Sequence, residues 1–478
     1  MKCPPPPFFL FFFIFSPSLS LSLSHFFTLS LHPLPFTHAL VHPALHHRYG
    51  TPNGEPLVAL GGGHAWAAGN EYHRFYTAGV GAWNWSTVVF DPWTQAQTFN
   101  PGLPVGLSSP SPPTAPYGPG APSSFVSEFG SSTMSSFESM SGTLAWDSWG
   151  LHGGNKPSNC TKPPRGAFFA PCTGRNAMAQ RNWAADNLVW SYFGPALLNA
   201  SGEAAFKGGL FQSQVAGALN MLTVVEGHRS GNYLGAIAWQ LNEIWPTGGW
   251  GSLEYGSPAS PGSLRGGRWK PMHYWFKSHL FAPVMSACGY AGRAFACYVS
   301  NARSGEAFVG TLTLTAIDLA SGAGRVWATL PMAAPPGPGA LAWATPNATL
   351  PNATTTLLLA SLVEQGASQA FDEHVVHLTA PLNLRVQRAT VTATPAAQPN
   401  ADGTVDIAMA TDAVALFVTL TCGAEGRFSD NAFLLLPSAP RTVQWVPFVP
   451  GGDAAQNYAL LKQTLRVEDH SAYATQAY

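Results

Sequence analysis

The sequence is poor in charged residues and has no excess of either sign. Of its 478 residues, 23 are Lys or Arg and 24 are Asp or Glu, so charged residues make up 10% of the chain. Soluble domains usually carry about 25%. A protein without a basic surplus cannot neutralise a phosphate backbone, so we do not expect a nucleic-acid partner.

Cysteine is also scarce, and its spacing excludes the common metal motifs. None of the six cysteines forms a CxxC pair, so a structural zinc site is not expected, and no other metal or organic cofactor is implied. Two pairs, Cys160/Cys172 and Cys288/Cys297, are close enough in sequence to form disulfides in an oxidising compartment. Free buried thiols are the alternative.

No hydrophobic run is long enough to cross a bilayer. The run Phe8–Phe15 follows Lys2 and has only eight residues, whereas a membrane helix needs about 20. The first 48 residues are rich in Pro, Ser, Leu and His and predict no folded element. Two interpretations stay open: a diverged signal peptide, or sequence translated from outside the native coding region.

Five Asn-x-Ser/Thr triplets are present. Such triplets arise by chance, but five are compatible with a secretory or lysosomal route. The asparagines are Asn84, Asn159, Asn199, Asn347 and Asn352.

The middle of the chain alternates between strand and helix signals. After a Gly/Pro/Ser-rich stretch, a short strand at Phe125-Val126 is followed by a helical pattern over 206–228. An apolar strand (Tyr233–Leu241), a turn-rich loop (Trp245–Gly267) and a helix (Trp269–Phe281) come next. This alternation predicts a parallel α/β unit.

From about residue 284 the pattern changes to short strands separated by turns. Such spacing predicts antiparallel sandwiches, with a boundary near Pro381–Arg385. The predicted strands are Ala294–Val299, Phe308–Ala316, Val326–Leu330, Leu357–Leu362, Val386–Thr392, Val414–Leu420, Ala432–Leu436 and Val443–Phe448.

One carboxylate follows a predicted strand directly. Glu128 lies in Phe125-Val-Ser-Glu-Phe-Gly130, at the end of the first strand. In a (β/α)8 barrel, catalytic groups project from the carboxyl ends of strands, and a carboxylate there can attack an anomeric carbon. On these residues alone, a solvated or structural Glu explains the pattern better.

A second segment carries a much more specific signal. It consists of Trp239-Gln-Leu-Asn-Glu-Ile-Trp-Pro246, Gly249-Trp-Gly-Ser-Leu-Glu-Tyr255 and Arg268-Trp-Lys-Pro-Met-His-Tyr274. In order, spacing and aromatic identity it resembles the last strand, loop and helix of the β-mannosidases of glycoside hydrolase family 2, apart from an insertion at Ser257–Leu264.

The resemblance extends from about residue 50 to residue 450. Ser127-Glu-Phe-Gly130 resembles the nucleophile strand of the family, although Ser131–Ser136 replaces its Trp-containing stretch. His73-Arg-Phe-Tyr with Trp83-Asn-Trp85 resembles the preceding strand and loop, and Gly426–Phe433 resembles the closing Ig-like domain.

This resemblance implies an α/β plus all-β fold: the C-terminal part of a (β/α)8 barrel followed by two Ig-like β-sandwich domains. The expected divisions are residues 1–48 (low complexity), 49–283 (partial catalytic barrel), 284–384 (first sandwich) and 385–478 (C-terminal sandwich).

It also implies site residues. Glu128 is expected to be the nucleophile, and Trp239 to stack under the pyranose. Asn242 and His73 are expected to donate hydrogen bonds to ring hydroxyls, with turn formation or packing as the alternative. Two further tryptophans line the cleft mouth or pack inside the loop: Trp245 and Trp250.

The second carboxyl that a retaining glycosidase requires has no good candidate in the chain. Glu71 follows Asn70, as the family pattern demands, but it precedes Glu128 by only 57 residues. Three strand–helix units need about 90. Glu243 and Glu254 follow the nucleophile, which is the wrong order. The resemblance thus implies a truncated family member without its acid/base residue.

The function implied is a retaining exo-β-mannosidase that removes terminal β-mannose from oligosaccharides, in the secretory pathway, a lysosome or vacuole, or outside the cell. Three alternatives stay open: an inactive fragment, a carbohydrate-binding protein, or an exo-β-glucosaminidase or β-galactosidase of the same family. No stable membrane span is expected, and the oligomeric state is left undetermined.

Overall fold

A computed structural model describes the chain between residues 125 and 474, with gaps. The described residues are 125–151, 159–160, 172–173, 178, 185, 188–189, 192–194, 196–198, 200–230, 235–245, 248–257, 260–291, 294–336, 340–344, 346–449 and 454–474. The first 48 residues, Glu71, His73 and Trp83–Trp85 lie outside them, so the expectations for those residues stay predictions.

The part of the chain before residue 284 contains two parallel strands joined through a long helix. Strands β1 and β4 pair in parallel, and helix α2 lies between them in sequence. Parallel neighbours require such a crossover, so the predicted strand–helix–strand order is confirmed. The elements are β1 (Phe125–Phe129), α1 (Phe137–Ser141), β2 (Asn159–Cys160), β3 (Cys172–Thr173), α2 (Glu203–Ser230), β4 (Gly235–Ala238) and α3 (Pro271–His279).

A closed (β/α)8 barrel needs eight parallel strands, and the described residues contain one parallel pair. The barrel therefore stays a prediction, and the described architecture is largely β-sheet. No helix in this part of the molecule combines the length and apolar character needed to cross a bilayer.

Helix α2 is buried on more than the face that its apolar spacing predicts. Val215 and Leu219 are buried as expected, but so is the polar side chain of Gln214. A Cβ atom at Gly217 would lie 1.8 Å from Cγ2 of Thr133, so only glycine lets the segment after β1 approach the helix this closely. The helix is thus a central element packed on several sides.

The first sandwich follows α3 and consists of two antiparallel sheets. Their strand orders are β5-β6-β9 and β11-β10-β7-β8, and apolar side chains from both sheets form one core. The strands are β5 (Val284–Ala291), β6 (Ala294–Asn301), β7 (Phe308–Asp318), β8 (Gly324–Ala334), β9 (Ala340–Ala344), β10 (Thr356–Glu364) and β11 (Asp372–Val376).

Two cysteines of the first sandwich form a disulfide. Cys288 of β5 lies directly opposite Cys297 of β6, and the two are bonded. This is one of the two pairings that the sequence left open. The backbones of Cys160 and Cys172 are paired in the register of β2 and β3, while Cys422 is a buried free thiol.

The second sandwich has the sheet orders β12-β13-β17-β15 and β16-β14-β18. Trp445 lies at its centre and is 1% exposed, and helix α4 covers one side through Leu461. The elements are β12 (Val391–Pro395), β13 (Val405–Thr411), β14 (Ala415–Thr421), β15 (Gly426–Phe428), β16 (Phe433–Leu435), β17 (Arg441–Pro447), α4 (Ala454–Thr464) and β18 (Arg466–Glu468).

The strand predicted at Val386–Thr392 begins later than expected, at Val391. The preceding residues are held by the C-terminal turn instead of a sheet. The amide of Ala389 donates to Oγ of Ser471 at 2.8 Å, and Arg388 donates to the Ser471 carbonyl at 3.0 Å. These contacts involve residues about 80 positions away, so a local pattern could not indicate them.

A shared apolar core joins α2 to both sandwiches. Leu219 of the helix belongs to the same buried cluster as Ile317 from the first sandwich and Phe417 from the second. The helix is thereby fixed relative to the two sandwiches, and so are the loops that follow β1 and β4.

A partly buried ion pair adds a polar connection between the α/β part and the second sandwich. Arg466 of β18 donates to both carboxylate oxygens of Glu138 in α1, at 2.7 and 3.0 Å, and Thr421 donates to the same group at 2.9 Å. Burial by itself raises the pKa of Glu138, but the hydrogen bonds and charge of Arg466, aided by Arg268, outweigh it and lower the pKa to about 2.

This pair predicts an acid-dependent stability. The folded-state pKa of Glu138 is depressed, so its contribution is complete above the unfolded value of 4.5 and is lost as pH falls toward 2. We expect Glu138→Gln to lower the free energy of unfolding at pH 7 by about 2–3 kcal/mol and to flatten its decline below pH 4.5. Urea unfolding at a series of pH values measures both effects.

The control is Glu203→Gln, which removes an exposed carboxylate that pairs with Lys207 along α2. It should change stability by less than about 0.5 kcal/mol. A pH profile of the Glu138 variant that runs parallel to the wild-type profile would contradict the assignment.

Candidate active site

The candidate site lies where β1 and β4 end side by side. Phe129 pairs with Ala238, and the register shifts between Val126 and Phe129, so Glu128 lies in the irregular last part of β1. The backbone of Glu128 is described, whereas its side chain lies outside the described part. The structure therefore places the backbone of Glu128 beside the end of β4.

Glycine is required directly after β1. A Cβ atom at Gly130 would lie 2.2 Å from the carbonyl oxygen of Trp239 and 2.8 Å from Cδ1 of Trp250. Because atoms cannot approach this closely, no larger residue fits without a backbone shift. Gly130 at the end of the Glu-Phe-Gly segment, the backbone of Trp239 and the ring of Trp250 thus lie next to one another.

Large apolar side chains are exposed just after β4. Trp239 is 46% exposed, Ile244 is 63% exposed and Trp245 is 52% exposed, while Trp250 is half-buried. The peptide bond between Trp239 and Gln240 is cis. An aromatic ring open to solvent at the end of a strand can present its face to the C–H side of a sugar, which a ring inside a core cannot do.

Asn242 lies in the same loop and is exposed. Its Nδ2 donates to the carbonyl oxygen of Glu243 at 3.0 Å, and its backbone forms a parallel bridge with Leu253. The side chain thus helps to shape the turn, which was the alternative considered from the sequence. His73, the other predicted hydrogen-bond donor, lies outside the described residues.

A buried ion pair connects the loop after β1 to the loop after β4. Lys270 and Glu243 are each 1% exposed and meet at 2.5 Å, and Nζ of Lys270 also donates to the carbonyl and hydroxyl oxygens of Thr133. The amide of Gly251 donates to the same carboxylate at 3.1 Å. Burial raises the pKa of Glu243, and the charge of Lys270 offsets part of that effect.

The carboxylate of Glu254 is also buried and hydrogen-bonded inside the protein. Its carboxylate accepts hydrogen bonds from the amide and hydroxyl of Ser136, at 2.6 and 2.9 Å, from the hydroxyl of Ser139 and from the side-chain amide of Gln214. A buried carboxylate with four donors cannot reach a glycosidic oxygen. The geometry thus gives a physical reason, beyond chain order, to reject Glu243 and Glu254 as acid/base groups.

The segment Ser131–Ser136 is buried and does not form an open wall of the cleft. The hydroxyl of Ser131 accepts a hydrogen bond from Asn220 at 3.2 Å, and the amide of Met134 donates one to Ser213 at 2.9 Å. Asn220 and Ser213 both belong to α2. Small polar side chains let this segment pack against the helix while their hydroxyl groups satisfy its buried polar groups.

Sequence reasoning missed the supporting residues of this site. Lys270 was noted only as part of a motif, and Gln214 and Ser139 were not singled out. A usable signal was present: a lysine between Trp269 and Pro271 in a chain with few charges is unusual, and a buried lysine needs a partner. Among the described residues, no group of three or more His, Cys, Asp or Glu side chains is arranged to hold a metal ion.

Removing the lysine of this buried ion pair should cost more stability than removing the lysine of an exposed pair. Lys270→Met leaves the Glu243 carboxylate buried without its partner, so we expect a loss of about 3–5 kcal/mol in the free energy of unfolding. Lys207→Met removes an exposed pair of similar length, 2.6 Å, and should cost less than about 0.5 kcal/mol. Urea unfolding of both variants tests the difference.

The double variant Lys270→Met with Glu243→Leu removes both charges and should recover part of that loss. If the single and double variants lose the same stability as Lys207→Met, the buried pair does not hold the two loops together.

The chain is similar in sequence to known proteins. Residues 386–472 match the family model Ig_mannosidase, an Ig-fold domain. The chain is 30% identical over 266 residues to a β-mannosidase of Bos taurus and 28% identical over 232 residues to β-mannosidase A of Aspergillus fumigatus. These alignments cover 51% and 45% of this chain but only 28% and 23% of the relatives, so the chain spans about a quarter of their length.

The fold is similar to that of a solved structure. A β-D-mannosidase from Dictyoglomus thermophilum superimposes with a TM-score of 0.50 at 15% identity, covering 72% of this chain and 37% of that one. At this identity the likeness concerns the fold alone. Together, the sequence matches, the Ig-fold domain and the shared fold show that the chain is similar to the C-terminal part of the β-mannosidases of glycoside hydrolase family 2.

Proposed function

We propose that this chain is the C-terminal part of a retaining exo-β-mannosidase and that its substrates are oligosaccharides with a terminal non-reducing β-mannose. The observation that carries the proposal is the meeting of the Glu128 strand with Trp239 and Trp250, fixed by the requirement for glycine at Gly130. The similarity to β-mannosidases over half the chain supports the choice of sugar.

In the proposed reaction, the carboxylate of Glu128 attacks the anomeric carbon of the β-mannoside. A covalent mannosyl-enzyme forms while the glycosidic C–O bond breaks, and water then releases mannose with its configuration retained. This mechanism needs a second carboxyl group to protonate the leaving oxygen. Because Glu243 and Glu254 are both bonded inside the protein, the proposal assigns neither of them to that role.

The aromatic side chains are proposed to hold the sugar. Trp239 supplies an exposed ring on which the pyranose stacks, while Trp245 and Trp250 line the mouth of the cleft. Asn242 and His73 are proposed donors to ring hydroxyls, and the exposure of Asn242 is compatible with that role.

The proposal includes the domain organisation and cellular location expected from the sequence. Residues 49–283 are assigned to a partial (β/α)8 barrel, 284–384 to a first Ig-like sandwich and 385–478 to a second. The disulfide between Cys288 and Cys297 supports an oxidising location, which we propose to be the secretory pathway, a lysosome or vacuole, or the cell exterior.

The role of Glu128 can be tested without the acid/base residue. Dinitrophenolate leaves without protonation, so 2,4-dinitrophenyl β-mannoside isolates the attack by the nucleophile. We expect the wild-type chain to release a burst of dinitrophenolate, and Glu128→Gln to slow that release by a factor on the order of 10³ or more. Absorbance spectroscopy follows the release directly.

Glu373→Gln changes an exposed carboxylate of the first sandwich and should leave the burst intact. Release that persists in the Glu128 variant would remove that residue from the role of nucleophile. A faster burst with the β-glucosaminide or β-galactoside would change the assigned sugar. If no glycoside reacts and mannobiose still quenches tryptophan fluorescence, the chain is a carbohydrate-binding protein instead.

The proposed stacking of the sugar on Trp239 gives a separate prediction. Trp239→Ala should weaken mannobiose binding by about 1–3 kcal/mol, since the stacking contact between the indole ring and the pyranose is lost. Trp146→Ala removes a tryptophan that is even more exposed, at 70%, and should leave affinity unchanged. Isothermal titration calorimetry measures both. Equal affinities for the two variants would show that Trp239 is a surface residue without a role in binding.

A further inference from the structure

Two of the five Asn-x-Ser/Thr triplets lie close together in a described surface loop. They are Asn347-Ala-Thr349 and Asn352-Ala-Thr354, in the connection between β9 and β10. Both asparagines are exposed. The middle residue of each triplet is Ala, so nothing in the triplet itself blocks the addition of a glycan.

The second triplet forms a local turn. Oδ1 of Asn352 accepts hydrogen bonds from the amide and from the hydroxyl of Thr354, both at 3.0 Å. The partners are two residues apart, so the turn needs no tertiary structure and can form before the chain has folded. Both hydrogen bonds use the amide oxygen and none of them uses the amide nitrogen, which is the atom that carries an N-linked glycan.

The same loop lies against the outermost strand of a sheet. Strand β8 is the outermost strand of the sheet β11-β10-β7-β8, and its Val326 is 63% exposed. Nε1 of Trp327, the next residue in β8, donates to the carbonyl oxygen of Thr349 at 3.0 Å. An exposed edge strand with an apolar side chain is a template for aggregation unless something covers it.

We propose that Asn347 and Asn352 are N-glycan acceptors and that their glycans cover the β8 edge. The disulfide between Cys288 and Cys297 lies in the same sandwich and independently supports an oxidising compartment, where such glycans are added. This inference concerns the first sandwich alone and does not depend on the role of Glu128.

The covalent step joins the asparagine side chain to a lipid-linked oligosaccharide. The amide nitrogen attacks the anomeric carbon of a polyprenyl-diphosphate oligosaccharide held by an oligosaccharyltransferase. A C–N bond forms, the C–O bond to the diphosphate breaks, and the polyprenyl diphosphate leaves with the bonding electrons. The amide nitrogen gives up one proton to the transferase.

The acceptors can be identified by isotope labelling. The full chain is expressed behind a secretory signal in a eukaryotic host and treated with peptide N-glycosidase F in H₂¹⁸O, which converts each occupied asparagine to ¹⁸O-labelled aspartate. We expect label at Asn347 and Asn352 and none at Asn400, an exposed asparagine outside any triplet. The same chain made without the signal should carry no label.

Two variants of Thr354 distinguish recognition of the triplet by the transferase from an effect on folding. Thr354→Ser keeps the hydroxyl and should keep the label at Asn352, whereas Thr354→Val keeps the side-chain shape without the hydroxyl and should lose it. Label at neither asparagine in the secreted wild-type chain overturns the proposal that they are acceptors.

Whether the glycans cover the β8 edge can be tested by measuring the rate of aggregation. Asn347→Gln with Asn352→Gln should aggregate faster on mild heating than the glycosylated chain, as measured by light scattering. Adding Val326→Lys places a charge on the bare edge and should restore the slower rate. Equal aggregation of all three proteins would overturn the covering role and leave only the acceptors.

Discussion

The loops after β1 and β4 meet at the ammonium group of Lys270, which is shielded from water. It contacts the carboxylate of Glu243 and both oxygen atoms of Thr133, so one charge reaches both loops. Desolvating two charges is costly, and the pair is tolerated because further hydrogen bonds, including that from Gly251, satisfy the carboxylate. The relative position of the two strand ends, and hence of the candidate cleft, depends on this pair.

A second layer of contacts extends this arrangement to the sandwiches. Glu254 accepts hydrogen bonds from Ser136 in the loop after β1, from α1 and from α2. Arg268 donates to Ser139 and to the carbonyl oxygen of Cys422 in the second sandwich. Glu138 and Arg466 form another connection across the same boundary. The second sandwich therefore supports the loops of the candidate site as well as forming a domain of its own.

Much of the fold could be predicted because its signals are local. Alternation and turn residues indicated most strands of both sandwiches, and helical spacing located α2 to within a few residues of its ends. The sequence pattern predicted neither helix α4 nor six strands of the sandwiches: β5, β9, β11, β13, β15 and β18. Of these, β15 and β18 have only three residues each, which is too short for an alternating pattern to stand out. The delayed start of β12 depends on Ser471, about 80 residues away, and no local signal could have shown it.

The candidate site was predictable in part for the same reason. The motif around Trp239 indicated its exposed tryptophans, and Glu-Phe-Gly indicated a strand end, but the buried network of Lys270, Gln214 and Ser139 required tertiary structure.

The proposed role of Glu128 is tested most directly by trapping the protein with 2-deoxy-2-fluoro-β-mannosyl fluoride, followed by peptide mapping by mass spectrometry. We expect one fluoromannosyl group, attached to the peptide that contains Glu128. A label on any other carboxylate, or an unlabelled chain that still hydrolyses β-mannosides, would contradict it.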